Sequence, residues 1–302
     1  MTEDVRVRNL TVPKGKVDVV LDTDAFCEVD DQFAIAYLLS HKEKLNTKAI
    51  YAAPFSSQYI DTVEEGVEKS YLEILNILNL TGEKADVFRG SKSYLPDEET
   101  PVLSDAANDL AKRAEEYSPE NPLYIIGIGA ITNVASAILM NPNVSENCVL
   151  VWLGGNAHTH RDNFEYNMLQ DVAAARVVYK SEIPIVQLPC EGVVSAFTLS
   201  RPELEAWFFG KNELTNYLTQ IVIEKMEKES KTPYWAKTIW DVTAVAWLLN
   251  DDDRFMSSRI VTAPLPAYDD RYSLNPDGKL IRYVYEIKKD NLLTDLIEKL
   301  TK

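Results

Sequence analysis

Between Val17 and Leu39 the chain reads VDVVLDTDAFCEVDDQFAIAYLL, with four aspartates, Asp22, Asp24, Asp30 and Asp31, set between an apolar run and an apolar segment of helical pattern. Val17 to Leu21 is β-branched and short, as a buried parallel strand is, while Phe33, Ala34, Tyr37 and Leu38 recur at helical spacing. The carboxylates therefore fall where a first strand passes into a first helix. In an open α/β sheet, the crevice outside the carboxyl ends of the strands takes the ligand. Crowded carboxylates raise one another's pKa unless a cation or hydrogen-bond donors offset the repulsion. The stretch reads as a site for a hard divalent cation. Asp30 or Asp31 can also cap the helix that follows, but capping leaves Asp22 and Asp24 unexplained.

The rest of the chain continues the β-α alternation. Thr47–Pro54, Leu123–Ile128, Cys148–Leu153 and Ile183–Pro189 read as further buried strands. Helical periodicity falls on Ile60–Leu78, on the segment after Gly129 that Pro142 ends, and on Asp171–Tyr179. Beyond residue 200, helices are expected over 204–209, 214–228, 238–249 and 292–300. Two strand-like arms, RIVTA and KLIRYVYEI, flank a turn with Asn275, Pro276, Asp277 and Gly278. The expected fold is α/β, a doubly wound, mostly parallel, Rossmann-like sheet with a C-terminal helical region and hairpin, in one domain over residues 1–302.

Net charge is −16, which disfavours phosphate backbones and anionic lipid surfaces, so neither nucleic acid nor membrane is an expected partner. Cys27, Cys148 and Cys190 are odd in number and widely spaced, without CxxC pairing, which suits a reducing compartment. The N-terminus lacks an apolar stretch of signal-peptide type, and the expected location is cytoplasmic.

Further motifs follow the aspartates in order: G-A-I-T-N at Gly129–Asn133, Leu153-Gly154-Gly155 at a strand end, Glu165-Tyr166-Asn167, and I-W-D-V-T-A-V-A at Ile239–Ala246. Together with D-T-D-A-F-C-E-V-D-D, they resemble the inosine-uridine preferring nucleoside hydrolases, calcium-dependent enzymes that cleave the N-glycosidic bond of ribonucleosides. The likeness covers most of the chain. It implies that Asp24, Asp31 and Asp241 supply carboxylate oxygens and Ile128 a backbone carbonyl to Ca2+, all hard donors of the kind calcium takes. It also implies that Asp24 is the base that deprotonates a calcium-bound water, that Asp30 and Asn167 bind the ribose hydroxyls, and that Glu165 binds the 5′-hydroxyl. Asp22 would stand behind them and orient its neighbours. A small-molecule nucleoside is then the substrate, and a homo-oligomer, dimer or tetramer, the expected assembly.

The pattern departs from the family in three places. Where many members carry a histidine before the last aspartate, this chain has Trp240, which has no proton to give and suits stacking on a purine. The motif is two residues longer between Asp24 and Asp30, which adds Cys27 and Glu28. A Gly-Asn segment after the second strand is replaced by Ala53-Pro54-Phe55-Ser56-Ser57. The histidines are His41, His158 and His160; His41 reads as a surface or helix-capping residue, and His158 and His160 are the candidates for a leaving-group acid or a contact to the base. Two other readings compete. Haloacid-dehalogenase-like phosphatases also end strand 1 in DxD, but they want Thr or Val where Phe26 stands. A non-catalytic calcium- or riboside-binding protein on the same fold would bind without releasing base.

Overall fold

The apolar runs form the strands their composition favours, and they stack into one eight-stranded sheet. In a computed structural model, which describes residues 1–302, these are β1 (Val17–Thr23), β2 (Leu45–Ala52), β3 (Asp86–Arg89), β4 (Leu123–Gly127), β5 (Cys148–Leu153), β6 (Ile185–Leu188), β7 (Met256–Thr262) and β8 (Leu280–Ile287). Their order is β3-β2-β1-β4-β5-β6-β8-β7. All pairs are parallel except the edge pair β7 and β8. β4, β5 and β6 are buried along their whole length, as strands covered by helices on both faces must be. Two apolar clusters lie on the two faces of the sheet, one around Phe33, Tyr37 and Trp247, the other around Ile125, Trp152 and Tyr179.

From β1 the chain winds outward through β2 and β3, then returns to add β4 on the other side of β1. The strand order thus reverses between β1 and β4, where a doubly wound sheet opens its ligand crevice. Local chemistry sets the helices that frame this point. Thr62 caps the helix Val63–Thr81 by accepting from the Glu65 amide at 3.1 Å, and Gly82 closes it in the left-handed region at φ 69°. Asp171 caps the helix Val172–Lys180 through the Ala174 amide at 2.9 Å. It also accepts from the Leu95 amide and the Thr132 hydroxyl, at 2.9 and 2.7 Å, binding a loop and a second helix to that cap.

Three expectations change and one gains detail. The C-terminal arms pair antiparallel, as a hairpin does, and Arg282 and Tyr283 of β8 also pair with Val186 and Gln187 of β6, so the arms extend the main sheet. The helix expected over 238–249 spans only Val242–Trp247, because Ala236–Thr238 is drawn into a two-stranded sheet with Thr198–Ser200. Between residues 83 and 122, where the sequence suggests no element, the chain forms β3 and the helix Asp105–Arg113, capped by Ser104. His41 is not at the surface. It is 2% exposed, with Nδ1 2.9 Å from the Tyr37 carbonyl and Nε2 3.2 Å from Asp295, fastening the helix Asp31–Leu39 to the helix Lys289–Leu300. No helix is long and apolar enough to cross a membrane.

Candidate active site

The switch point holds a cavity of ≈ 280 Å³, lined by Asp24, Asp30 and Asp31, which flank the insertion, and by segments from four other parts of the chain. Sheet geometry sets its floor. Asp22, on β1, lies opposite Gly127 of β4, and its carbonyl accepts the Ile128 amide at 2.9 Å, which brings Ile128 to the cavity wall. The Asp22 side chain turns away from the cavity and accepts from Asn133 Nδ2 at 2.8 Å; its other oxygen is buried without a partner. Asp24 enters the cavity. A Cβ at position 129 would come within 3.0 Å of Asp24 Oδ1 and 3.1 Å of the Ala53 Cβ, so the glycine of GAITN makes room for this carboxylate.

Asp30 and Asp31 begin the helix Asp31–Leu39. Asp30 occupies its N-cap position yet makes no side-chain capping bond. Its Oδ2 instead accepts the backbone amides of Trp240 at 2.8 Å and Asp241 at 3.4 Å, across the cavity. Asp31 accepts the Thr23 hydroxyl at 2.5 Å. Ligand oxygens of Asp30, Asp31 and Asp241 all lie within 4.8 Å of one another. Asp24, Asp30, Asp31 and Asp241 are each at most 5% exposed. Burial, and then the charge of its neighbours, pushes each of the Asp24, Asp31 and Asp241 carboxyls up, Asp31 to about 7. Asp30 is raised by burial, against the pull of Lys237. Burial alone raises Asp22 to about 7, against the Asn133 hydrogen bond.

The donor set fits a hard cation. Every candidate ligand is an oxygen, three carboxylates crowd one point, and Asp30 Oδ1 is buried with no hydrogen-bond partner. The nearest positive group, Lys237 Nζ, is 4.0 Å from that oxygen and pairs more closely with Glu28 at 2.8 Å. Uncompensated buried carboxylates are costly, and a bound divalent ion removes that penalty.

The opposite wall comes from the segment after β5. Gly155 has φ 74°, and a Cβ there would meet Tyr272 Oη at 2.0 Å and Asn163 Oδ1 at 2.7 Å, so only glycine permits this turn. Beyond it Glu165 caps the short helix Tyr166–Leu169. Its Oε1 accepts the Asn167 amide at 3.0 Å, and its Oε2 accepts the amides of Gly155 at 2.8 Å and Met168 at 3.0 Å. Three of roughly four acceptor positions on a carboxylate are thereby used. Asn167 Nδ2 donates to the Leu153 carbonyl at 2.9 Å. Glu165, Tyr166 and Asn167 all line the cavity, as does Trp240.

Neither His158 nor His160 does. His158 Nε2 lies 2.8 Å from Gln187 Oε1, and its ring packs on Tyr272 and Tyr283 behind the glycine turn. His160 bonds the Asp162 carbonyl at 3.0 Å. Their placement gives neither a contact to a leaving base, because both imidazoles are engaged outside the cavity. The 53–57 segment is absent from the lining too; its Ser56 amide and hydroxyl bond Gln170 and Tyr94 instead. The inserted pair is at the cavity, with Cys27 and Glu28 both on the wall and Glu28 joined to Lys237 and Lys225. Burial pushes the Cys27 thiol well up, followed by the charge of Asp24, so it is not a thiolate. The structure also brings in residues the motifs do not mark: Asn156, Phe164, Cys190, Glu191 and Lys237. Lys237 alone carried a signal, lying four residues before Asp241.

Residues 19–272 match the model of the inosine-uridine preferring nucleoside hydrolases. A curated "probable ribonucleoside hydrolase" from Dictyostelium discoideum is 26% identical over 101 residues, which are 33% of this chain and 30% of that protein. Among solved structures, an inosine-guanosine nucleoside hydrolase aligns with TM-score 0.74 at 17% identity, covering 94% of this chain and 98% of its own. A plant nucleoside hydrolase aligns with TM-score 0.72 at 18% identity, covering 96% and 99%. An inosine-uridine preferring nucleoside hydrolase from Bacillus anthracis aligns with TM-score 0.71 at 18% identity, covering 94% and 99%. At these identities the structural likeness establishes the fold.

Proposed function

Because the chain belongs to the inosine-uridine preferring nucleoside hydrolase family, we propose that it hydrolyses the N-glycosidic bond of ribonucleosides to free base and ribose, with calcium as its resident cation. The observation that carries this reading is the convergence of Asp24, Asp30, Asp31 and Asp241, from both ends of the chain, on one buried wall of oxygen donors. The carboxylates of Asp24, Asp31 and Asp241 and the Ile128 carbonyl would hold the ion. When bound, the cation supplies positive charge that acidifies water and fixes ribose hydroxyls.

The chain's own groups then divide the work. Asp24 takes the proton of the water that attacks C1′, acting as general base. As the bond to the base opens, positive charge gathers on C1′ and the ring oxygen, and the surrounding carboxylates stabilise it. Asp30 and Asn167 hold the ribose hydroxyls, which converts binding into orientation. Glu165, on the cavity wall, binds the 5′-hydroxyl. Trp240, anchored through its amide to Asp30, offers its ring to the base. Asp22, bonded to Asn133, steadies the strand end from behind. In this reading the protein is a single-domain, cytoplasmic homo-oligomer, dimer or tetramer.

The test is base release from inosine, adenosine, guanosine, uridine and cytidine, with calcium and after chelation, for wild type and Asp24→Ala. Release that requires both calcium and Asp24 supports the reading. Folded protein that binds calcium and riboside but releases no base would overturn it in favour of a binding protein.

A further inference from the structure

Resting on that reading of the site, we propose that the substrates this cavity serves best are N-ribosides whose base carries a formal positive charge, such as pyridinium ribosides and N7-alkylated purine ribosides. Three observations carry it.

The first concerns the leaving group. A neutral purine departs as an anion unless something protonates it, and no imidazole and no unpaired ammonium lines the cavity. His41, His158 and His160 are each bonded elsewhere. The Lys237 ammonium is held by Glu28, its pKa above the ordinary lysine range through Asp30 and Glu28 despite burial. The Tyr166 hydroxyl donates to the Ser56 carbonyl. A cationic base needs no proton. The electron pair of the C1′–N bond passes to the ring nitrogen and cancels its charge, the water oxygen bonds to C1′, and the water's proton goes to the Asp24 carboxylate. Ribose and a neutral base result, and the charge balances.

The second is the charge of the wall. Seven carboxylates line the cavity against one ammonium, so the lining stays net negative even with a divalent cation bound. Two of them, Glu28 and Glu191, belong to the less buried end, away from the aspartate floor.

The third is the company they keep. Phe164, Tyr166 and Trp240 line the same cavity, Phe164 being 66% and Tyr166 40% exposed. Ring faces attract cations, and an aromatic cage with carboxylates beside it is how proteins recognise cations that cannot form ordinary ion pairs.

The experiment compares kcat/KM for N7-methylguanosine, guanosine and 4-nitrophenyl riboside, in wild type and Glu191→Gln. The last substrate is neutral but leaves without a proton. N7-methylguanosine is expected to exceed guanosine by about 100-fold, the usual worth of a general acid, and to have a lower KM than 4-nitrophenyl riboside. Glu191→Gln should raise KM for N7-methylguanosine several-fold and leave guanosine unchanged. Guanosine turned over as well as its methylated form would overturn this inference alone. Equal KM for the cationic and nitrophenyl ribosides, unmoved by Glu191→Gln, would overturn charge recognition. No turnover of any of the three by folded, calcium-loaded protein would overturn the hydrolase reading and this inference together.

Discussion

At its buried end the cavity is walled by carboxylates whose positions the sheet dictates, whereas its open end is walled by an insertion, two loops and a short strand of the small sheet. Asp24 and Ile128 are set by the ends of neighbouring parallel strands, and Asp30 and Asp31 by the first turn of a helix. Cys27, Glu28, Phe164, Glu191 and Lys237 come from segments outside the main sheet. The buried end follows the family motif; the open end departs from it. A scaffold of this kind can keep its buried end fixed while its open end changes.

The largest test of that division is Asp24→Ala, which should lower kcat by about 10³-fold with the far-UV spectrum unchanged. A loss no larger than that of an open-end variant would erase the distinction. Next comes the apo protein. Asp22 and Asp31 have folded pKa values of about 7, above their unfolded values near 4. Their contribution to stability is therefore present at low pH and lost as pH rises through about 7. In chelator, the melting temperature should fall across that window. Calcium at about 100 times its Kd should restore about 2.7 kcal/mol at pH 8, and thermal scans with and without calcium read this directly.

Gly155→Ala joins the two ends, since it forces a Cβ against Tyr272 and strains a left-handed turn; urea titration should show a loss of about 1–3 kcal/mol. Gly82→Ala, also at positive φ but with open space around it, should cost less. Trp240→Ala should raise KM for purine nucleosides by about tenfold, the worth of one aromatic stacking contact, with kcat little changed. The smallest effect is expected for Glu28→Gln, less than about threefold in kcat/KM on neutral nucleosides, because it loosens a partly exposed ion pair.

The sheet was largely legible in the chain because strands buried on both faces are written as continuous apolar runs, and Cys148–Leu153 matches its run end to end. β3 escaped because four residues, DVFR, at a sheet edge carry no such run. Ala236–Thr238 escaped because its partner, Thr198–Ser200, is distant in sequence and neither is apolar. The aspartates were visible as a cluster, but the reach of Asp30 to the amides of Trp240 and Asp241 was not, since a local reading sees only a capping residue. His158 shows the converse. Its position just beyond the glycine turn suggested the cavity, and Gln187 on the neighbouring strand draws it away.

The bond between Asp30 and the amide of Trp240 spans 210 residues of sequence. During synthesis the first three cavity aspartates leave the ribosome long before the segment that anchors Asp30 and adds Asp241 exists. A nascent chain short of residue 241 carries a sheet nucleus with an unfinished acidic pocket. Metal retention is then expected late in biogenesis, and ion uptake by stalled chains of increasing length would date the moment at which the protein becomes whole.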